Sequence, residues 1–425
     1  MIWVYRILIN LAIPFGLVGL ILRGFKNPKY WSRWSERFGF VPEHVKKTAP
    51  YDLWIHAVSV GEARAAAPLV NRLLLERPEC NILLTTTTPT GSDMVRMMLA
   101  DKVTHCYFPY DLGWAMRRFV SSVKAKVVLI METEIWPNMI RAVSASGSTL
   151  IYTNVRLSER SYLRYAKIPK FVNETLSHVD HFAVQGKLDE KHLELLGVTS
   201  EKISITGSIK FDVSVPPSLR ESAEVMRRQL GQDRLIWIAG STREGEESKV
   251  LAIFKKLKEI FPSLLLILVP RHPERFDYMA RKIQRRDLVC VRRTDGDAEI
   301  ASEVDVYLGD TMGELSLLYA CSDVAFVGGS LVPLGGQNIL EPCSLGVPVV
   351  FGPHMFNFPD ISRWTINEGA GKMIQDEDQL SDVLEEWLAN PSLRDEIGSN
   401  GLNFIDGHRG ALDKNQRLIE SYSST

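Results

Sequence analysis

The chain lacks most of the short signatures by which sites announce themselves. Its five cysteines, Cys80, Cys106, Cys290, Cys321 and Cys343, form no CxxC pair and no Cys/His group with metal-ligand spacing. That argues against a zinc site and suits buried thiols in a reducing compartment. No GxGxxG or GxxxxGK[ST] stretch stands in the right context, which weakens dinucleotide and P-loop readings. No Asp-x-Asp pair closes an apolar run, so no metal or other cofactor is expected. An excess of one charge is missing too. Fifty basic residues face 51 acidic ones, a net charge of −1, so nothing global points to nucleic acid and any attraction for anions must be local. Finally, the longest apolar stretch without a charge, residues 7–22, would span only about 24 Å as a helix, short of a bilayer core of about 30 Å.

What is present begins with that stretch. Residues 1–22 are apolar apart from Arg6 and Asn10, no small-residue cleavage site follows, and Arg23, Lys26, Lys29, Arg33 and Arg37 come next. This predicts an uncleaved anchor with its basic flank on the cytoplasmic side. In WSRWSERFGF, Trp31, Trp34 and Phe38 fall on one helical face, as in a segment lying among lipid headgroups or in a core stripe. The anchor should be dispensable for folding, because regular alternation starts only after residue 50.

At 425 residues, 45% hydrophobic and 24% charged, the chain is ordinary folded protein and too long for one core. From residue 51, short apolar runs alternate with amphipathic segments, the pattern of parallel βα units. DLWIHAV, NILLTTT, VTHCYFP, AKVVLIME, STLIYTN, HFAVQ and ISITG come first; LIWIAG, LLLILVP, LVCVRR, VDVYLGD, VAFVGG and PVVFGP follow a break at Pro216-Pro217. The expected organisation is an anchor (1–22), a membrane-surface segment (23–50), two doubly wound α/β domains (51–207 and 223–408) facing across a cleft, a linker (208–222) and a C-terminal helix (409–425). Ligands in such sheets bind at the carboxyl ends of strands. Polar residues there are Glu62, Thr85 to Thr88, Glu132, Glu134, Asn154, Gln185 and Lys210, then Ser241 to Arg243, Arg271, His272, Asp310, Thr311, Gly328 and Gly329.

In HAVSVGE, a run turns through Gly61 into a helix with Glu62 at its start, where free N–H groups favour an anion. Ser59 and Glu62 fit a capping box, a pattern repeated at residues 241–244 and 311–314. A helix start should keep Glu62 ionised at neutral pH. Around Thr311, Gly313 permits close approach of a phosphate to a helix beginning near Met312. Asn338 and Glu341, three apart on another helix, suit a ribose, and Arg271 suits a phosphate or carboxylate. Glu132 and Glu134 share a side if their strand continues.

Together HAVSVGE, TTTTPTGS, METEIWPN, NVRLSERS, TGSIKFD, GEES, LVPRHPERF, GDTMGELSLLY and FVGGSLVPLGGQNILEP resemble the lipid A Kdo transferases along essentially the whole chain. The resemblance implies a GT-B glycosyltransferase moving 3-deoxy-D-manno-octulosonic acid (Kdo) from CMP-Kdo to a tetraacylated disaccharide lipid A precursor at the inner membrane, with the donor on the second domain and the acceptor on the first. It implies CMP contacts at Pro270, Arg271, Met312, Gly313, Glu314, Asn338, Ile339, Leu340 and Glu341, a general base at Glu62, and transition-state stabilisation by Glu132 and Lys210. Gln337 departs from the family, which commonly has His there, and an amide cannot titrate. Another GT-B enzyme acting on a UDP-sugar, or a membrane-anchored binding protein without catalysis, are the competing readings.

Overall fold

The apolar runs are buried on both faces, which only a parallel sheet covered by helices on each side provides. In the computed structural model, which describes residues 1–213, 215–296 and 299–423, thirteen of them and one further short strand form two sheets. The first comprises β1 (Leu53–His56), β2 (Ile82–Thr86), β3 (Thr104–Tyr107), β4 (Val127–Met131), β5 (Thr149–Val155), β6 (His181–Val184) and β7 (Ile203–Ile205), all parallel, in the order β3-β2-β1-β4-β5-β6-β7. Residues alternate between its two cores: Trp54, Leu83, Val128 and Ile130 enter one, Leu53, Ile55, Leu84 and Leu129 the other.

The second sheet, also parallel, contains β8 (Ile236–Thr242), β9 (Leu265–Pro270), β10 (Cys290–Arg292), β11 (Val306–Leu308), β12 (Val324–Val327), β13 (Val349–Phe351) and β14 (Gly371–Met373), in the order β10-β11-β9-β8-β12-β13-β14. β14, the sequence Gly-Lys-Met at a sheet edge, carries no apolar run and is not legible in the sequence.

The chain divides into one unit of Met1–Asp212 joined by the stretch from Arg409, and a second of Val213–His408. Part of the presumed linker is regular structure: Pro217 opens the helix Pro217–Leu230 from its first position, where a missing N–H costs nothing. The C-terminal helix Ala411–Ser423 returns to the first unit. Asp212 accepts from the N–H groups of Gly410 (2.7 Å) and Leu412 (2.6 Å) at its start, and Thr153 meets Asn415 at 2.5 Å.

The N-terminal helix is longer than the apolar stretch, Ile2–Lys26, and is long and apolar enough to cross a membrane by length and composition. Yet its start is bonded to the body of the first unit and its end packs on the turn that follows it. Tyr5 Oη donates to Asp111 (2.8 Å) and Arg6 Nε to Asn138 (2.8 Å), while Leu20 and Gly24 are buried and Trp31 Nε1 donates to Ile21 O (3.2 Å). The start of the segment thus packs over the buried Asp111 carboxylate of the first unit. The following segment is not one helix either. A 3-10 turn (Pro28–Trp31) and a four-residue helix (Trp34–Arg37) are separated by Arg33 in the left-handed region, φ 58°. Arg33 is engaged by Glu36 at 2.6 Å and Arg37 is buried, donating to Thr87 O. Of the basic flank, these two are therefore not available to lipid headgroups.

Candidate functional site

In the first sheet the strand order reverses between β1 and β4, the place where α/β sheets hold ligands. Glu62 follows β1 and Glu132 follows β4. Ser59 caps the helix Val60–Glu76: its hydroxyl accepts from the Glu62 N–H (3.2 Å) and donates to Glu62 Oε1 (3.0 Å), while Glu62 Oε2 accepts from the Val58 N–H (2.7 Å). Ser59 and Glu62 thus form a capping box shifted one residue back. The carboxyl is only 6% exposed. Burial pushes its pKa up to about 8, Glu132 and Glu134 add to the rise, and the hydrogen bonds from Val58 and Ser59 oppose it. The expectation that the helix start keeps Glu62 ionised at neutral pH is therefore corrected: desolvation and two neighbouring carboxylates outweigh the helix dipole.

β4 ends at Met131, so Glu132 and Glu134 do not continue a strand. Glu132 instead sits at φ 56°, its N–H donating to Thr153 O (2.9 Å). A non-glycine residue there costs on the order of 1–3 kcal/mol, which the surrounding contacts must offset. The Glu132 carboxylate lies 3.7 Å from Lys210 Nζ. Asn154, at φ 55° on β5, is fully buried; its Oδ1 accepts from the Ile209 N–H (3.2 Å) and so fixes the turn Ile209–Phe211 that carries Lys210. Gln185 donates to Asn154 O (3.0 Å). Glu132, Asn154, Gln185 and Lys210 are thereby brought together. Thr85 to Thr88 are structural: Thr85 is buried against the Trp54 indole N–H, Thr87 bonds Val58 O and Thr88 caps the helix Pro89–Leu99. His56, stacked on Phe108 at 3.8 Å, is held neutral by burial, which pushes its pKa down to about 3.

In the second sheet the order reverses between β8 and β12. Residues 241–244 are not a capping box, because Ser241, at φ 54°, and Thr242 complete β8 and the next helix spans Glu247–Ile260. The carboxylate the sequence reading missed is Glu246. Fully buried, it accepts from the backbone N–H groups of Gly329 (2.7 Å), Ser330 (3.0 Å), Leu331 (2.9 Å) and Arg243 (2.9 Å). Burial pushes its pKa up and those four donors oppose the rise. A Cβ on Gly328 would fall 2.6 Å from Ser241 O, so only glycine lets the two strand ends meet. The signal for Glu246 lay in GEES, one turn after a strand end.

Arg271 follows Pro270, the last residue of β9, and donates its N–H to Thr242 O (3.0 Å). His272 pairs with Arg243, and burial together with that guanidinium holds its pKa down. The helix expected near Met312 begins at Leu315 instead. Thr311 donates to Glu314, which also pairs with Arg293 (3.0 Å), leaving Met312 exposed and Gly313 at φ 89° in an open turn. Asn338 and Glu341 do not share a helix face: the helix is only Leu340–Cys343, and Asn338 lies before it, its Oδ1 accepting from the Leu340 N–H (3.2 Å). Ile339 and Leu340 are buried, so their side chains belong to the core. Ser316 donates to Glu341 Oε1 (2.6 Å), which joins the 311–314 and 338–341 segments. Gln337 Nε2 lies against Gly329. Among the described residues no group of His, Cys, Asp and Glu is placed to hold a metal ion.

Residues 32–213 match the family described as 3-Deoxy-D-manno-octulosonic-acid transferase (kdotransferase). The chain is 39% identical over 420 residues to the 3-deoxy-D-manno-octulosonic acid transferase of Haemophilus influenzae, covering 98% of each chain, and 35% identical over 394 residues to that of Bordetella pertussis, covering 91% of each. Among solved structures, the UDP-GlcNAc 2-epimerase from Neisseria meningitidis bound to UDP-GlcNAc has a TM-score of 0.55 at 14% identity, covering 87% of this chain and 98% of that one. That likeness is one of fold, two α/β units of the GT-B kind.

Proposed function

The chain belongs to the 3-deoxy-D-manno-octulosonic acid transferase family and is a glycosyltransferase; from that premise we propose that it moves Kdo from CMP-Kdo to a tetraacylated disaccharide lipid A precursor in lipopolysaccharide assembly, at the cytoplasmic face of the inner membrane. The observation that carries the mechanism is the buried Glu62 carboxyl at the β1/β4 reversal, with its pKa raised to about 8. An acceptor hydroxyl loses its proton to Glu62 as its oxygen bonds to the anomeric carbon; the bond from that carbon to the phosphate oxygen breaks, and CMP leaves with the electron pair. A base with a pKa near the working pH is well matched to this step. Glu132 is a fixed negative charge for the oxocarbenium-like carbon, and Lys210, beside it, meets the Kdo carboxylate or the departing phosphate. Incubation with CMP-Kdo and the lipid precursor should release CMP and yield lipid heavier by whole Kdo residues; CMP release without that mass gain would overturn the acceptor assignment.

In the second unit we assign CMP to Pro270, Arg271, the Met312–Glu314 turn and the Asn338–Glu341 segment. Glu341 uses Oε1 for Ser316 and directs Oε2 to a ribose hydroxyl. Glu341→Ala should weaken CMP binding by about 1.5–3 kcal/mol, the range for hydrogen bonds to a charged group; unchanged affinity by calorimetry would remove the ribose role. Lys210→Ala should lower kcat by about 10²- to 10³-fold at unchanged CMP affinity, as loss of one preorganised donor does, and a fall in CMP affinity alone would make Lys210 a ground-state contact instead.

For the membrane, the helix Ile2–Lys26 docks side-on, because its start is bonded to the first unit while Ile7, Leu8, Leu11, Phe15, Val18 and Leu22 are exposed along it. Arg23 and Lys26 at its end are exposed and add attraction to anionic lipid, about 1 kcal/mol each.

A further inference from the structure

Two cavities lie side by side in the first unit, between the N-terminal helix and the helices Gly113–Val123 and Pro137–Ala145, with volumes of about 390 and 590 Å³. They share Arg6, Gly113 and Arg117 and differ in character. The smaller is cationic, closed by Arg141 and His178. The larger has apolar walls, Trp3, Ile7, Leu11 and Trp114, that continue the outward face of the N-terminal helix.

The cationic end is short of negative charge. Arg6 spends its Nε on Asn138, and Arg117 is exposed and has no hydrogen bond or ion pair among the described residues. Asn138 Oδ1, Arg6 Nε and Arg117 Nη1 lie 3.3, 3.4 and 3.6 Å from the point a Cβ on Gly113 would occupy, so both guanidinium groups share the space over that glycine with the amide oxygen that Arg6 holds. Arg141 pairs with Glu174 at 2.7 Å but keeps a buried Nε without a hydrogen bond. The buried carboxylate Asp111 faces Arg6 but is already hydrogen-bonded by Tyr5 and by the N–H groups of Asn138 and Met139. No side chain caps the helix Gly113–Val123, so its first N–H groups add positive potential at the same point.

We propose that this composite groove is a binding site for an anionic glycerophospholipid of the membrane leaflet, its phosphate held by Arg6 and Arg117 over Gly113 and an acyl chain laid along Trp3, Ile7, Leu11 and Trp114. Paired guanidinium groups suit a phosphodiester, and the apolar wall beside them suits the chain attached to it. None of Glu62, Glu132 or Lys210 lines the groove, which separates it from the acceptor that must reach Glu62. The inference rests on the membrane reading above, and the bound lipid would fix how the first unit sits against the bilayer.

The test uses the full chain and dihexanoyl phosphatidylglycerol below its micelle concentration, with dihexanoyl phosphatidylcholine and inorganic phosphate as comparisons. Phosphatidylglycerol should bind at least about 10-fold more tightly than either, and Arg117→Ala should remove that preference, a change of about 1.4 kcal/mol. Leu11→Ser should weaken phosphatidylglycerol while leaving phosphate unchanged. Binding to neutral vesicles, which the apolar helix face supplies, should be the same in wild type and Arg117→Ala. Equal binding of the two lipids, no effect of Arg117→Ala, or phosphate binding as well as phosphatidylglycerol overturns the proposal while the membrane reading stands. Failure of the wild type to bind any vesicle overturns the membrane reading itself. A rise in KM for the lipid acceptor in Arg117→Ala, measured in detergent without phospholipid, would show that the groove holds the acceptor and would also overturn the proposal.

Discussion

Replacing Glu62 by Gln is expected to lower Kdo transfer by at least about 10²-fold, the scale of general-base catalysis, with CMP-Kdo affinity nearly unchanged. The amide keeps the volume and can still accept from Val58, so a loss of rate without loss of structure isolates the proton transfer. The raised pKa adds a pH signature. Only ionised Glu62 accepts a proton, so kcat/KM of the wild type should rise with pH and level off above about 8, and the glutamine variant should lack that limb. Stability runs the other way. A carboxyl whose folded pKa exceeds its unfolded value stabilises fully below the unfolded value, near 4.5, and that contribution is lost as pH rises through about 8. The melting temperature of the wild type should therefore fall across this window relative to Glu62→Gln. Near-normal transfer with a flat pH difference would return Glu62 to capping alone.

Glu246→Ala should produce the largest structural loss. It leaves the N–H groups of Gly329, Ser330, Leu331 and Arg243 without their acceptor at the β8/β12 reversal, and buried unsatisfied groups cost about 1–3 kcal/mol each. With some relaxation and water entry, a net loss of about 3 kcal/mol lowers the melting temperature by roughly 6–12 °C for a unit of this size. Glu246→Gln should recover only part of it, because the amide NH₂ faces donors. CMP binding should weaken in both, since Gln337 packs on Gly329 and leads into Asn338. A melting temperature within about 1 °C of wild type would mean that the glycine turn does not need its internal anion.

Much of the architecture was legible because parallel strands buried on both faces must be continuous apolar runs, and thirteen of the fourteen strands were read that way. The escaping strand, β14, is an edge piece whose pairing comes from β13 and not from its own residues. Resemblance to the Kdo transferases was legible as well, because its motifs are local in sequence and sit at strand ends.

Local sequence determined the runs, the helix start at Ser59, and the positions of Glu62, Glu132 and Lys210 after their strands. It could not determine electrostatics. Helix-start logic made Glu62 an ionised cap, yet its pKa depends on burial and on Glu132 and Glu134, some seventy residues away. It likewise assigned Ser241 and Thr311 to capping boxes, although β8 runs through Thr242 and the helix after Thr311 begins only at Leu315, and it passed over Glu246, whose four donors come mostly from a loop more than eighty residues on. It offered Arg33 and Arg37 to the membrane, although Glu36 and Thr87 had claimed them. The physical reason is common to all of these. Propensity and periodicity act over one turn or one strand, whereas desolvation, charge and backbone satisfaction depend on which distant segments the fold brings within a few ångströms, and only the tertiary structure decides that.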